Sequence, residues 1–214
     1  FLGCSHEANV WLYGEKIASS QRCMILPNAI DLEKFQFNLK MRVAMRSELS
    51  VNQKFVIGHI GRFNTQKNHK FLIDIFQEIH EVIKNAILIL VGEGELQKEI
   101  QKYANEKGLE DVVLFLGVRK DIHCVLQAMD VFLFPSLYEG LGIVLIEAQA
   151  TGLSVLTSDT IPKEALVTDL VKTESLSAGT VIWRKRLVEI FYQKEPRRSR
   201  IKELSDAGYN IKIV

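Results

Sequence analysis

FVIGHIGRFNTQKNHKFLIDIFQEIHEVIKNAILILVG, residues 55–92, holds the pattern that decides the fold. It starts and ends on short aliphatic runs, FVIGHIG at 55–61 and AILILVG at 86–92. Neither run alternates with polar residues, as expected of strands buried on both faces. Between them Phe71, Leu72, Ile75, Phe76, Ile79, Val82 and Ile83 recur at three-to-four spacing, which predicts an amphipathic helix over 69–83. A strand, a helix and a second buried strand in such short order imply a right-handed crossover joining parallel neighbours.

The same alternation extends in both directions. CMIL at 23–26, VVLFLG at 112–117, VFLFP at 131–135 and SVLTS at 154–158 read as further strands. Helical patterns occupy 95–107, 121–129 and 142–151, with Gly108 and Gly152 placed to end two of them. From Ser177 onward the chain is helical and charged, offers no further strand, and is split by Pro196. The fold class is therefore α/β, a doubly wound, Rossmann-like parallel sheet. Residues 1–20 read as a linker and the remnant of a preceding domain, 21–176 as the sheet domain, and 177–214 as helices packed on it. The opening FLGCSHEANVWLYG reads like the middle of a longer protein.

Bulk properties narrow the function. A net charge of +1 gives nucleic acid no electrostatic hold. Cys4, Cys23 and Cys124 form no CxxC pair, so reduced thiols and a cytoplasmic location fit better than disulfides or zinc. His6, His59, His69, His80 and His123 show no metal-ligand spacing, and His59 reads as a packed or edge histidine inside a strand. No apolar run reaches the roughly 20 residues that span a bilayer, and no signal-peptide pattern is present.

A doubly wound sheet binds ligands beyond the carboxyl ends of its strands. After 55–61 come Gly61, Arg62 and Lys67, two cations that either clamp a diphosphate or sit solvated in the loop. After 86–92 the sequence Gly92-Glu93-Gly94 is a partial GxGxxG, with Gln97 at the third glycine. It is either a plain turn or a bare backbone approached by a base or ribose. Val118 and Arg119 form a third edge, with Arg119 facing ligand or solvent. The strongest signal follows 131–135: Glu139-Gly140-Leu141-Gly142-Ile143-Val144-Leu145-Ile146-Glu147. Its glycines free a loop that enters a helix, and the first amides, Leu141 to Val144, suit an anion. Glu139 and Glu147 are placed to accept hydrogen bonds from two vicinal diols. Glu147 lies among apolar neighbours, where an ionised carboxylate needs a partner.

Taken together these residues resemble family 4 of the retaining glycosyltransferases, whose GT-B architecture faces two Rossmann-like domains across a cleft. PNAID at 27–31, GRFNTQKN at 61–68, VGEG at 91–94, FLG at 115–117 and EGLGIVLIEA at 139–148 follow the family's order, covering nearly the whole chain. Two stretches depart from it, Leu153-Ser154-Val155 and Ile161-Pro162-Lys163-Glu164, the latter reminiscent of bacterial exopolysaccharide-type members.

The resemblance implies the second, donor-binding domain, with a UDP- or GDP-hexose as ligand and no metal or other cofactor. Arg62 and Lys67 would hold the diphosphate, Glu139 the hexose and Glu147 the ribose. Gly61, Gly140, Leu141, Gly142 and Ile143 would supply bare backbone and amides, and Gly92 and Val118 would flank the base. The implied partners are the missing N-terminal domain and a saccharide or lipid-linked acceptor. A GT-B sugar-nucleotide epimerase, an NAD-linked oxidoreductase and a binding-only domain remain as alternatives. The basic runs at Arg184-Lys185-Arg186 and Arg197-Arg198-Ser199-Arg200 read as a solvated helix face or as a peripheral contact with anionic lipid at the inner membrane face.

Overall fold

A computed structural model describes residues 1–26, 28–193 and 196–213. Pro27, the first residue of PNAID, lies outside the described residues. The chain opens with β1 (Leu2–Gly3), α1 (His6–Tyr13), α2 (Glu15–Ala18) and β2 (Met24–Ile25), followed by α3 (Leu39–Glu48). The sheet unit then runs β3 (Phe55–Ile60), α4 (His69–Val82), β4 (Ala86–Val91), α5 (Gln97–Glu106), β5 (Val113–Phe115), α6 (Ile122–Ala128), β6 (Val131–Phe134), α7 (Ile143–Ala150), β7 (Ser154–Ser158) and β8 (Val171–Glu174). Helices α8 (Gly179–Gln193) and α9 (Ile201–Asp206) complete it.

Six parallel strands lie in the order β5-β4-β3-β6-β7-β8. The chain begins at the centre with β3, moves outward through β4 and β5, then returns to β6 and moves outward on the other side. Strands β3 and β6 are thus central neighbours, with Ile57 opposite Val131 and Gly58 opposite Phe132.

Strand periodicity sends alternate side chains into two separate cores. Ile87, Ile89, Val91, Phe132 and Phe134 pack with Met45 of α3, with α6 and α7, and with Leu204 of α9. Leu88, Leu90, Val131 and Leu133 pack on the other face with Leu72, Ile75, Phe76 and Ile79 of α4, Ile100 of α5, and Trp183 and Leu187 of α8. The continuous apolar runs are the expected result of covering both faces.

Three expectations need correction. CMIL does not join the main sheet: Met24 and Ile25 are exposed and pair with β1 in a separate two-stranded ribbon. The sixth strand is Val171–Glu174, which is too polar for an apolar-run reading because it lies at the sheet edge. The run from Arg197 to Arg200 is not a basic helix face. It precedes α9, and Arg197 turns inward to donate to the carbonyls of Leu126, Met129 and Thr151. Arg186 pairs with Glu174 and Glu189, and Arg184 with Glu78. Among the described residues no helix is long and apolar enough to cross a membrane.

Arg42, Arg46 and Arg197 meet at the carboxyl end of α6, where unpaired carbonyls and the negative end of the helix dipole favour cations. Arg42 donates to the carbonyls of Gln127 and Met129, and Arg46 to that of Ala128. Asp130 accepts from both Arg42 and Arg46, and also from the Val56 amide at 2.7 Å, tying α3 to the first residues of β3 and β6. Burial, with Arg42 alongside, pushes the Arg197 guanidinium down to about 9. Asp130→Ala would take the carboxylate from two guanidinium groups and leave the Val56 amide without its acceptor. We expect a loss of about 3 kcal/mol in urea denaturation, and a loss below about 1 kcal/mol would show that the network is dispensable.

Candidate functional site

The return of the chain from β5 to β6 makes a topological switch point between β3 and β6, the place where an open α/β sheet forms a crevice. Two loops leave the carboxyl ends of these strands side by side. The first, residues 61–68, carries a single 3-10 turn at Thr65–Lys67 capped by the Asn64 side chain. The second, 135–142, leads into α7. Backbone bonds join them: the Leu137 amide donates to the Gln66 carbonyl at 2.8 Å, and Asn68 Nδ2 donates to the Pro135 carbonyl at 3.2 Å.

Side chains complete the connection. Lys67 Nζ lies 2.5 Å from Glu139 Oε1, and Gln66 Nε2 donates to Glu139 Oε2 at 3.1 Å. Glu139 is only 6% exposed, so both its oxygens are committed to this loop pair. The Lys67 ammonium also sits 4.7 Å above the centre of the Phe134 ring. Next to this pair the amides of Leu141, Gly142, Ile143 and Val144 have no acceptor among the described residues. The helix itself begins at Ile143 rather than Gly142. Gly142 takes a left-handed conformation (φ +77°) to turn the chain into it. Ser5 Oγ donates to the Gly140 carbonyl, so the chain's first segment closes over this loop.

Other expected site residues fall into two groups. Glu147 lies part-buried on α7, and burial raises its carboxyl to about 7, with Lys34 opposing the shift. The Arg62 side chain is 72% exposed and reaches Glu95 at 3.6 Å, beside a depression lined by Gly92, Glu93, Gly94 and Gln97. Val118 is exposed, whereas Arg119 is partly buried and paired with Asp121 and Glu48. The bare backbone at Gly92 and Gly94 is already used by the protein. A Cβ at Gly92 would fall 2.2 Å from the Gly61 carbonyl oxygen, and one at Gly94 2.4 Å from that of Phe63. These glycines let the 92–94 turn pack under the 61–63 loop.

A cavity of about 850 Å³ lies at the opposite end of the sheet near Phe37, Phe55, Asp130, Ser154 and Arg197. Its central guanidinium groups are spent on Asp130 and on the carbonyls ending α6, so the loops at the carboxyl ends are the better candidate.

Residues 41–203 match the family described as Glycosyl transferases group 1. The chain belongs to that family. It is 36% identical over 210 residues to the putative glycosyltransferase EpsF of Bacillus subtilis, covering 97% of this chain and 55% of EpsF. It is 33% identical over 149 residues to the UDP-Gal:alpha-D-GlcNAc-diphosphoundecaprenol alpha-1,3-galactosyltransferase of Escherichia coli, covering 68% of this chain and 38% of that enzyme. A crystal structure of Anabaena HepE in complex with UDP and glucose superposes with a TM-score of 0.84 at 20% identity, over 99% of this chain and 59% of HepE. The chain thus spans about half the length of the group 1 relatives it matches most fully, and its six-stranded sheet is that of GT-B C-terminal domains.

The raised Glu147 carboxyl gives the site a pH signature. Its folded value, about 7, lies above the value of about 4.5 for an exposed Glu, so the folded state holds the extra proton between those limits. Stability tied to this proton is present below pH 4.5 and lost as pH rises through 7. Glu147→Gln should match the parent at pH 5 and exceed it by about 1–2 kcal/mol at pH 8 in urea denaturation. Parallel pH profiles for the two proteins would contradict the burial argument.

Proposed function

We propose that this group 1 domain binds a UDP-hexose across the β3–β6 crevice and serves as the donor half of a retaining hexosyltransferase in extracellular polysaccharide synthesis. The observation that carries the reading is the Lys67–Glu139 pair, set at the switch point beside the unpaired amides of 141–144. A cation, a row of amide donors and a carboxylate are the groups a sugar diphosphate needs. In this reading Lys67 and the amides of Leu141 to Val144 take the diphosphate, and Glu139 turns to the hexose hydroxyls. Arg62 joins them by leaving its exposed pair with Glu95, a contact weak enough to give up. Glu147 receives the ribose diol, and Gly61, Gly92, Gly140 and Val118 frame the nucleotide.

Catalysis then consists mainly of stabilising the departing diphosphate. Lys67, Arg62 and the amino end of α7 face the negative charge that develops as the glycosidic bond breaks. The bond opens through an oxocarbenium-like state, the acceptor hydroxyl adds on the same face, and its proton passes to the leaving diphosphate. Atoms balance as nucleoside diphosphate plus glycosylated acceptor, with retained configuration. The acceptor, a saccharide or a lipid-linked sugar, would be held by a preceding domain. The E. coli relative, whose name specifies UDP-Gal and a diphosphoundecaprenol-linked sugar, supports both halves of this reading.

In the full-length enzyme Lys67→Ala should lower kcat at least about 100-fold, and product NMR should show retention. Near-normal turnover would overturn the role of Lys67, and inversion would overturn the same-face mechanism. The 214-residue chain by itself should bind UDP in a calorimetric titration and transfer no sugar. Transfer by this chain would contradict the need for a second domain.

A further inference from the structure

Beneath the 61–68 loop lie two histidines that the proposed donor chemistry leaves unused. His59 of β3 is 0% exposed and His69, the first residue of α4, is 2% exposed. Their rings meet edge to face at 4.8 Å. His69 stacks on Phe63 at 4.1 Å, and His59 stacks over Phe134 at 5.4 Å. Nδ1 of His59 lies 2.9 Å from the Leu133 carbonyl oxygen. That oxygen can only accept, so Nδ1 carries the proton and Nε2 presents a bare lone pair. Burial keeps both rings neutral: it holds His59 well below the usual imidazole range and pushes His69 down to about 4.

Nε2 of His59 has no hydrogen-bond partner among the described residues. A phenylalanine would avoid the cost of this buried, unpaired acceptor. Lys67 lies close by, across Gly61. The point that a Cβ on Gly61 would occupy lies 3.1 Å from His59 Nε2, 3.1 Å from Lys67 Cε and 3.2 Å from Lys67 Cδ. The imidazole edge and the lysine stem therefore converge on the one spot Gly61 leaves bare, with the ammonium a single bond further on.

We propose that His59 is a positioning residue for Lys67: its bare Nε2 accepts one ammonium N–H when a nucleoside diphosphate draws Lys67 away from Glu139. The inference rests on reading Lys67 as a phosphate ligand. An ammonium has three donors, and once Glu139 turns to the hexose, phosphate oxygens alone leave its direction loosely fixed. A rigid acceptor behind it holds Nζ over the diphosphate. His69 supports the arrangement from the side: stacked on Phe63 and edge-on to His59, it blocks rotation of that ring without bonding to Nε2.

Two substitutions separate this role from mere packing. His59→Asn can keep the bond to the Leu133 carbonyl but has nothing at the place of Nε2, whereas His59→Gln brings a carbonyl oxygen there. UDP affinity of the chain, measured by amide-shift titration, should fall about tenfold in His59→Asn and stay within about threefold of the parent in His59→Gln. In the parent, the ¹⁵N resonance of His59 Nε2 should move on adding UDP, and Lys67→Met should abolish that movement. Equal UDP affinity in the Asn and Gln variants, or an unmoved Nε2 resonance, would overturn the proposal. If either variant fails to fold, the parent's resonance decides. Parent-like UDP affinity in Lys67→Met would remove the phosphate role of Lys67 itself, a failure distinct from that of His59.

Discussion

The pairing of β3 with β6 is the constraint on which the rest of the structure depends. These strands are distant in sequence but central neighbours in the six-stranded sheet, and its other four strands are added outward from them. Their adjacency brings the 61–68 loop against the 135–142 loop and leaves a crevice where the two halves of the sheet diverge. Lys67 and Glu139, 72 positions apart, can meet at 2.5 Å only because of this return. The two cores on either side of the sheet hold the strands in register, and so hold the loops to the same geometry.

Charge is handled differently at the two ends of the sheet. At the amino ends of the strands, Arg42, Arg46 and Arg197 are fully engaged with Asp130 and with the carbonyls that end α6. That end is a structural clamp, and the cavity beside it is lined by Arg42 and Arg197, whose donors the clamp already uses. At the carboxyl ends the balance is reversed. Lys67 is matched by one carboxylate, and the amides of 141–144 have no acceptor among the described residues. The carboxyl end therefore has the unspent hydrogen-bonding capacity, which is what a binding site requires.

Much of this was legible in the sequence because burial on both faces leaves a strong record. Five of the six sheet strands, together with α4, α5, α6 and α7, announce themselves as continuous apolar runs and helical stripes. Edge strand β8 does not, because the charged Lys172 and Glu174 break the pattern, and CMIL misleads because exposed apolar residues look like buried ones in one dimension. Position along the chain located Lys67 and Glu139 in the loops after strands and Glu147 in the helix that follows, but said nothing of which would touch. That Arg62 reaches Glu95, that Arg119 is taken by Glu48 and Asp121, and that Gly92 fits beneath Gly61 are facts of folding in three dimensions. The Asp130 network was invisible for the same reason: α3 gave no strong stripe, and a carboxylate just before a strand looks like any loop residue.

The central claim is that the diphosphate of a nucleotide sugar binds at the switch point between Lys67 and the amides that open α7. A crystal structure of the chain with UDP bound tests it most directly. The account predicts phosphate oxygens within hydrogen-bond distance of Lys67 Nζ and of at least two amides among Leu141 to Val144, with the Lys67–Glu139 contact opened. UDP lodged in the basic cavity at the amino ends of the strands, or bound at the crevice with the Lys67–Glu139 pair intact, would contradict it.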